Sequence, residues 1–382
     1  MSFSPTARSW VCLQGLSRST KRCGWFLICC LFLSACSDEP VEDRWCGNRT
    51  LESGDLIVLN TDFGSSSVDI ARPRCEGRWE ALYVGGGDLA IRLGQSQFYA
   101  LNRATNGSLT AISKDGEIRW QAALSGCGLH DIVELSDDWG ILTCYDDNAL
   151  RLVSLSDGEV FSGPNLSEHA DLDGLAEPDQ MILTTDGYLM VSLQRLDRED
   201  AYRPAGPGRV VRGTLRFNDV GGPEFEDWRF LDVDGLENPV TALSEQDGLV
   251  SLGFAGDWQS EPTGAGRAFI NVGDFTVESL QFSEPYRLWQ SSGAWWVESL
   301  TSGGSLEIES MALRRGQSSE VTPVWEVDGF SIGGIAEDGE QNVYVTFRPA
   351  GEAAALVSFS PTGEQEFNIS WPLKPWEVIP IP

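Results

Sequence analysis

The chain has 382 residues and a formal net charge of −30 at pH 7, with 57 Asp and Glu against 27 Lys and Arg. A field of that sign repels nucleic-acid phosphates and anionic lipid headgroups, which excludes nucleic acid as a partner and direct adsorption to a membrane surface. The chain is also 41% hydrophobic and 10% aromatic, enough apolar side chain to build a core, which excludes a disordered acidic tail.

Residues 1–35 contain no Asp or Glu, and Arg8, Arg18, Lys21 and Arg22 precede the apolar run WFLICCLFL that starts at Trp25. A bilayer span needs roughly 20 apolar residues, so this shorter run behind a basic segment has the anatomy of a secretory signal. It ends in Leu33-Ser34-Ala35-Cys36. Those four residues resemble the lipobox of bacterial lipoproteins; the alternative is an ordinary signal peptide beside a chance cysteine. The resemblance implies cleavage before Cys36 and acylation of Cys36 by several chains, which anchor a protein stably where one chain does not. Ser37 rather than Asp follows the cysteine, which in that family favours the outer over the inner membrane. The expected organisation is a signal over 1–35, a lipidated tether over 36–51 and a folded domain over 52–382. Without the four basic residues of the signal, the net charge becomes −34.

Of nine cysteines, Cys12, Cys23, Cys29 and Cys30 lie in the signal and Cys36 is the anchor. Four remain, Cys46, Cys75, Cys127 and Cys144, and an even number in an exported chain reads as disulfides. Local pairing favours Cys46–Cys75 and Cys127–Cys144, the alternative being free buried thiols.

Beyond the tether the chain reads as short apolar runs between Gly, Asp, Asn and Pro turns: DLIVLN, QFYALN, ILTCY, YLMVSLQ, LVSLGF, AWWVESL and NVYVTF. The runs repeat in a larger pattern. DLDGLAEPDQMILTTDGYLMVSL from Asp171 matches DVDGLENPVTALSEQDGLVSLGF from Asp232, and VDGFSIGGIAEDGEQNVYVTF from Val327 and GLHDIVELSDDWGILTCYD from Gly128 are further copies. A second element, strand–Gly turn–strand, recurs at Ser108, Leu150 and Ala355. Together they make a four-stranded unit of about 40–60 residues, the signature of an all-β propeller, with a β-sandwich or barrel as the alternative. Blades are expected near 82–126, 128–163, 174–232, 235–283, 285–328 and 330–373. Residues 52–81 supply three strands of a seventh, and the C-terminal PWEVIPIP supplies its fourth, closing the ring and removing any open sheet edge; six and eight blades are the alternatives.

The element SLTAISKDGEIRW resembles the repeats of pyrroloquinoline-quinone-type propellers, and the Asp-Gly-x-Leu-x-Val elements resemble NHL and gluconolactonase-like propellers. The quinone enzymes use an adjacent Cys-Cys pair, and the only such pair here, Cys29-Cys30, is in the signal. The gluconolactonase resemblance implies a calcium ion held by carboxylates from several blades. The candidates are Asp171 with Asp173 and Asp232 with Asp234, whose hard oxygens suit calcium; otherwise they cap turns between blades. No other cofactor is indicated. The chain has two histidines, His130 and His169, too few for a multi-histidine metal site, and His169 reads as a solvated loop residue. No nucleophile elbow or phosphate loop is present, and no catalytic residue is assigned.

Trp139, Trp258 and Trp289 lie near turns where they could line a mouth for sugar or peptide, and Trp295-Trp296 should face opposite sides of one strand, leaving one of them less buried; core packing is the alternative for all of them. The insertion from Leu196 to Arg209, with Arg195, Arg198, Arg203 and Arg209, is the one basic patch and the first candidate for a contact loop. The expectation is a non-enzymatic binding or scaffold module, lipid-anchored in the cell envelope, with a protein or carbohydrate partner. The alternative is a calcium-assisted hydrolase or lactonase.

Overall fold

The computed structural model describes residues 50–382 except 63, 76, 105, 258–262, 283–285, 302–306 and 317–321. Cys36, Cys46 and Trp258 therefore lie outside the described residues, as does the side chain of Cys75.

Seven four-stranded antiparallel sheets follow one another, together with one small two-stranded hairpin, Leu196–Asp197 with Arg203–Pro204. Blade 1 is ordered Gly77–Gly86, Ser65–Arg72, Leu56–Thr61, Pro375–Pro380, so the last strand of the chain sits beside the first. Blades 2 to 7 run in sequence order over 89–125, 129–165, 178–232, 244–281, 286–328 and 332–371. The expected ring and its closure are both present. One boundary moves: Gly77–Gly86 belongs wholly to blade 1, so blade 2 begins at Leu89 rather than residue 82.

All seven apolar runs singled out in the sequence are the second strand of a blade. That position is covered by a neighbouring blade on each face, so its side chains are buried in both directions: Leu56–Thr61 is buried at every residue, and Tyr188–Leu193 at all but the first. The outermost strands face solvent on one side, and Ile118–Ser125 alternates exposed and buried. The same sandwiching explains a departure from expectation. Trp295 and Trp296 do point to opposite faces, yet both are fully buried, because each face of that strand meets another blade.

The core is correspondingly divided. Seven apolar clusters are found among the described residues, one between each pair of adjacent blades, including the pair formed by blades 7 and 1. The Asp-Gly turns work as read: in TTDGY, Gly187 holds φ at +82° and donates to the Thr184 carbonyl at 2.9 Å. Cys127 and Cys144 form the expected disulfide, which ties the approach to the first strand of blade 3 to its second strand. No helix among the described residues is long and apolar enough to cross a membrane.

Candidate functional site

Four blades meet at one guanidinium. Arg92, on the first strand of blade 2 (Leu89–Leu93), donates from Nε to Asp131 Oδ1 at 2.5 Å, from Nη1 to Glu377 Oε1 at 2.9 Å and from Nη2 to Gln180 Oε1 at 2.9 Å. Asp131, Gln180 and Glu377 are each the third residue of the first strand of blades 3, 4 and 1 (Leu129–Glu134, Pro178–Leu183 and Pro375–Pro380). Only the innermost strands of a ring converge in this way, so these strands line the central channel. Backbone amides complete the network: Met181 N–H donates to Asp131 Oδ2 at 2.7 Å and Ile91 N–H to Glu377 Oε2 at 3.0 Å. Burial pushes the Asp131 carboxyl up against the pull of Arg92, while the flanking carboxylates raise the Arg92 guanidinium against its own burial.

The second positions of the first strands of blades 3 and 4 hold an acid–base pair. His130 Nδ1 lies 2.7 Å from Asp179 Oδ1. Asp179 also accepts from Gln180 Nε2 at 3.0 Å and Gln194 Nε2 at 2.9 Å. Burial pushes the Asp179 carboxyl up, but the hydrogen bonds from His130, Gln180 and Gln194 outweigh it and hold the group below the usual carboxylate range. An ionised acceptor at Nδ1 assigns the Nδ1–H tautomer to His130 and leaves Nε2 as the basic nitrogen. The His130 side chain is 23% exposed, so the ring is fixed yet reachable from solvent.

The histidine is backed by a stack. Its ring lies 4.5 Å from that of Tyr145 at an interplanar angle of 7°, and the Arg198 guanidinium sits 5.0 Å over the far side of the pair, on Tyr145. Burial, with Glu177 and Asp179 close by, raises the Tyr145 phenol and keeps it neutral. Arg198 is held by Glu177 at 2.9 Å, by Asp146 at 2.8 Å and by the Tyr145 carbonyl at 3.1 Å.

Arg198 belongs to the basic insertion, which leaves blade 4 between its second and third strands, at the channel-mouth end. The other arginines of this candidate contact loop are paired within the chain as well. Arg203 binds Asp257 at 2.9 Å, Arg209 binds Asp232 at 2.6 Å, and Arg195 lies 3.8 Å from Asp232. The insertion therefore spans from blade 3 to the edge of blade 5 as a strap of paired charges.

The calcium candidates stand in two connections, Asp171 and Asp173 before the first strand of blade 4 and Asp232 and Asp234 at and after the end of its last strand. Asp173 N–H donates to Asp171 Oδ1 at 3.1 Å and Leu175 N–H to Asp173 Oδ1 at 2.9 Å, so this pair caps the turn between blades 3 and 4. Burial, and the neighbouring Asp173, push the Asp171 carboxyl up to about 6. Asp232 is engaged by Arg209, and Asp234 is exposed in the next connection. Among the described residues, no group of three or more His, Cys, Asp or Glu side chains is placed to hold a metal ion. His169 corrects the sequence reading. It is 5% exposed, closing a 3-10 turn at Ser167–His169 against Phe230, and burial lowers its pKa. Trp139 packs edge-on against Phe161 at 5.4 Å, as core rather than mouth. A surface groove of about 670 Å³ at the seam of blades 1 and 7, lined by Asp62, Ser66, Glu352, Trp371 and Lys374 among others, has no histidine in its lining.

No family model matches the chain, and no curated protein matches it. Solved structures do. A protein of Bacteroides uniformis described as a candidate 6-phosphogluconolactonase aligns at TM-score 0.55 and 12% identity, over 86% of this chain and 99% of its own. One of Bacteroides fragilis with the same description aligns at TM-score 0.55 and 10% identity, over 85% and 97%. The dihydro-heme d1 dehydrogenase NirN aligns at TM-score 0.50 and 12% identity, over 88% and 77%. At these identities the likeness establishes the seven-bladed propeller and is not specific to quinone-type or NHL repeats. It also counts against the expectation of a non-enzymatic module, because these three structures carry enzyme names; the contact of His130 with Asp179 is one the sequence reading did not find.

Proposed function

We propose that this protein is a hydrolase that opens a lactone or ester bond at the channel mouth, with His130 as general base and Asp179 as the group that orients it. The observation that carries the reading is the buried, hydrogen-bonded carboxylate fixing Nδ1 of a partly exposed histidine on the axis of the ring. A water between His130 Nε2 and the substrate would lose a proton to Nε2 as its oxygen attacks the carbonyl carbon. The acyl C–O bond then breaks, and the proton returns from the imidazolium to the departing alkoxide. The likeness to lactonase-type propellers supports the fold as a host for this chemistry and nothing finer. In place of a calcium ion, the reading relies on the residues the structure brings together.

The test is turnover of a panel of small lactones and esters. General-base catalysis contributes about 10²–10⁴-fold, so His130→Ala should lower kcat by at least about a hundredfold, and Asp179→Asn should fall in the same direction by removing the charged acceptor that sets the tautomer. Wild-type turnover that survives His130→Ala undiminished would overturn the assignment.

The proposal includes the location. The enzyme would be held at the cell envelope through lipidated Cys36, with residues 37–50 as a tether. Mass spectrometry of the N-terminal peptide should find an acylated Cys36, and an unmodified N-terminus at any other residue ends that part of the reading.

A further inference from the structure

Across the channel from His130, three aromatic rings form a corner. Trp289 lies on the first strand of blade 6 (Tyr286–Ser292), Phe330 two residues before the first strand of blade 7 (Ile332–Glu337), and Trp376 is the second residue of the first strand of blade 1. Trp289 meets Phe330 at 4.9 Å and 81°, and Trp376 at 6.1 Å and 86°; Phe330 meets Trp376 at 6.0 Å and 61°. The Arg348 guanidinium stacks 4.8 Å over Trp376 and 5.9 Å from Phe330.

Trp289 and Trp376 pack against the edges of the cores between blades 6 and 7 and between blades 1 and 2, but they are less buried than Trp295 of the first of those seams. Trp295, Trp296 and Trp371 are at most 2% exposed, whereas Phe330 is 36% exposed and Trp289 and Trp376 are half-buried. The corner is continuous with the acid–base pair. Trp376 precedes Glu377, Glu377 holds Arg92, and Arg92 Nη2 reaches the His130 carbonyl at 3.4 Å. Blades 6, 7 and 1 lie opposite blades 3 and 4 in a seven-bladed ring, so this wall and His130 belong to opposite sides of the ring.

The chemistry of the wall selects its guest. The Trp289 indole N–H donates to the Gly333 carbonyl at 3.0 Å, Thr346 Oγ1 to the Trp376 carbonyl at 3.2 Å, and Ser331 Oγ to the Asp328 carbonyl at 2.6 Å. Those polar atoms are engaged with backbone. A hydroxyl-rich ring needs directed donors and acceptors around it, and the cation at the corner, Arg348, lies over the Trp376 ring. What the corner presents is ring faces and edges at near right angles, the arrangement that takes another aromatic ring edge-to-face or offset-stacked.

We propose that the Trp289–Phe330–Trp376 corner seats a planar aromatic group of the substrate, making the preferred substrate an aryl-bearing ester or lactone. This rests on the hydrolase reading for its reacting bond, but the seat itself is testable without turnover. Phenyl acetate and ethyl acetate are the probes, used with the full chain. For turnover, Phe330→Ala should raise KM for phenyl acetate about tenfold more than for ethyl acetate while changing kcat for the phenyl ester less than twofold. Ile118→Ala, a substitution at an exposed residue on the outer strand of blade 2, should change neither. For binding, calorimetry with His130→Ala should show phenyl acetate held more tightly than ethyl acetate, and adding Phe330→Ala should remove the difference. Equal KM effects on the two esters, or no preferential binding of the phenyl ester, overturn the seat. Preferential binding lost with Phe330→Ala, but no turnover by the wild type, leaves the seat standing and removes the hydrolase reading. Turnover that depends on His130 without aryl preference does the reverse.

Discussion

Deleting Pro375–Pro382 is expected to abolish folding rather than weaken it. Pro375–Pro380 is the innermost strand of blade 1 and pairs with Leu56–Thr61 alone, so its loss leaves the channel edge of Leu56–Thr61 unpaired. Val378 and Ile381 are 2% and 4% exposed and belong to different cores, one between blades 7 and 1 and the other between blades 1 and 2. Each contributes roughly 1.5–3 kcal/mol by burial, and the ladder bonds, the Ile381 N–H bond to the Asp55 carbonyl at 2.8 Å and the Arg92–Glu377 pair are lost with them. Against a total stability of about 5–15 kcal/mol, that removes most of the margin. Circular dichroism and size-exclusion chromatography should show an unfolded or aggregated chain. A monodisperse, cooperatively melting truncation would mean that the ring does not depend on this closure.

Arg92→Ala should destabilise by about 3–5 kcal/mol, measured by chemical denaturation. The cost comes less from a lost attraction than from what remains: Asp131, whose side chain is 4% exposed, and Glu377, 28% exposed, lose the cation between them and with it a hydrogen-bond donor each. The remedy follows from the same cause. Arg92→Met combined with Asp131→Asn should recover more than half of the loss, because the most buried of the orphaned charges is then gone. A loss below about 1 kcal/mol for Arg92→Ala would show that water reaches this part of the channel freely.

Both expectations concern residues whose importance is unequally visible in the sequence. PWEVIPIP stands out as a leftover strand after six complete units and one of three strands, and a ring needs that strand. Arg92, Asp131, Gln180 and Glu377 look like four unrelated polar residues. The fact that they occupy the third or fourth position of a first strand is apparent only once the repeats are aligned blade by blade. Their common guanidinium requires the ring to close around the axis.

The sequence by itself determined the repeat, a propeller of six to eight blades, the manner of closure and the Cys127–Cys144 pair, and the structure settled the count at seven. It could do so because each rests on local rules: the second strand of a blade is buried on both faces and reads as a continuous apolar run, a tight turn demands Gly or Asp, and the bonded cysteines flank neighbouring strands of one blade. The tertiary structure alone decided which polar residues meet. His130 and Asp179 are 49 positions apart, at the same place in adjacent repeats, and become a pair because the blades set those places side by side at the axis. Trp289, Phe330 and Trp376 form a corner for the same reason. The conspicuous signals, the paired aspartates and the arginine-rich insertion, are resolved within their own surroundings as turn caps and ion pairs. Side-chain chemistry on the axis is assembled from one residue per blade, and no local stretch of the chain contains more than a fragment of it.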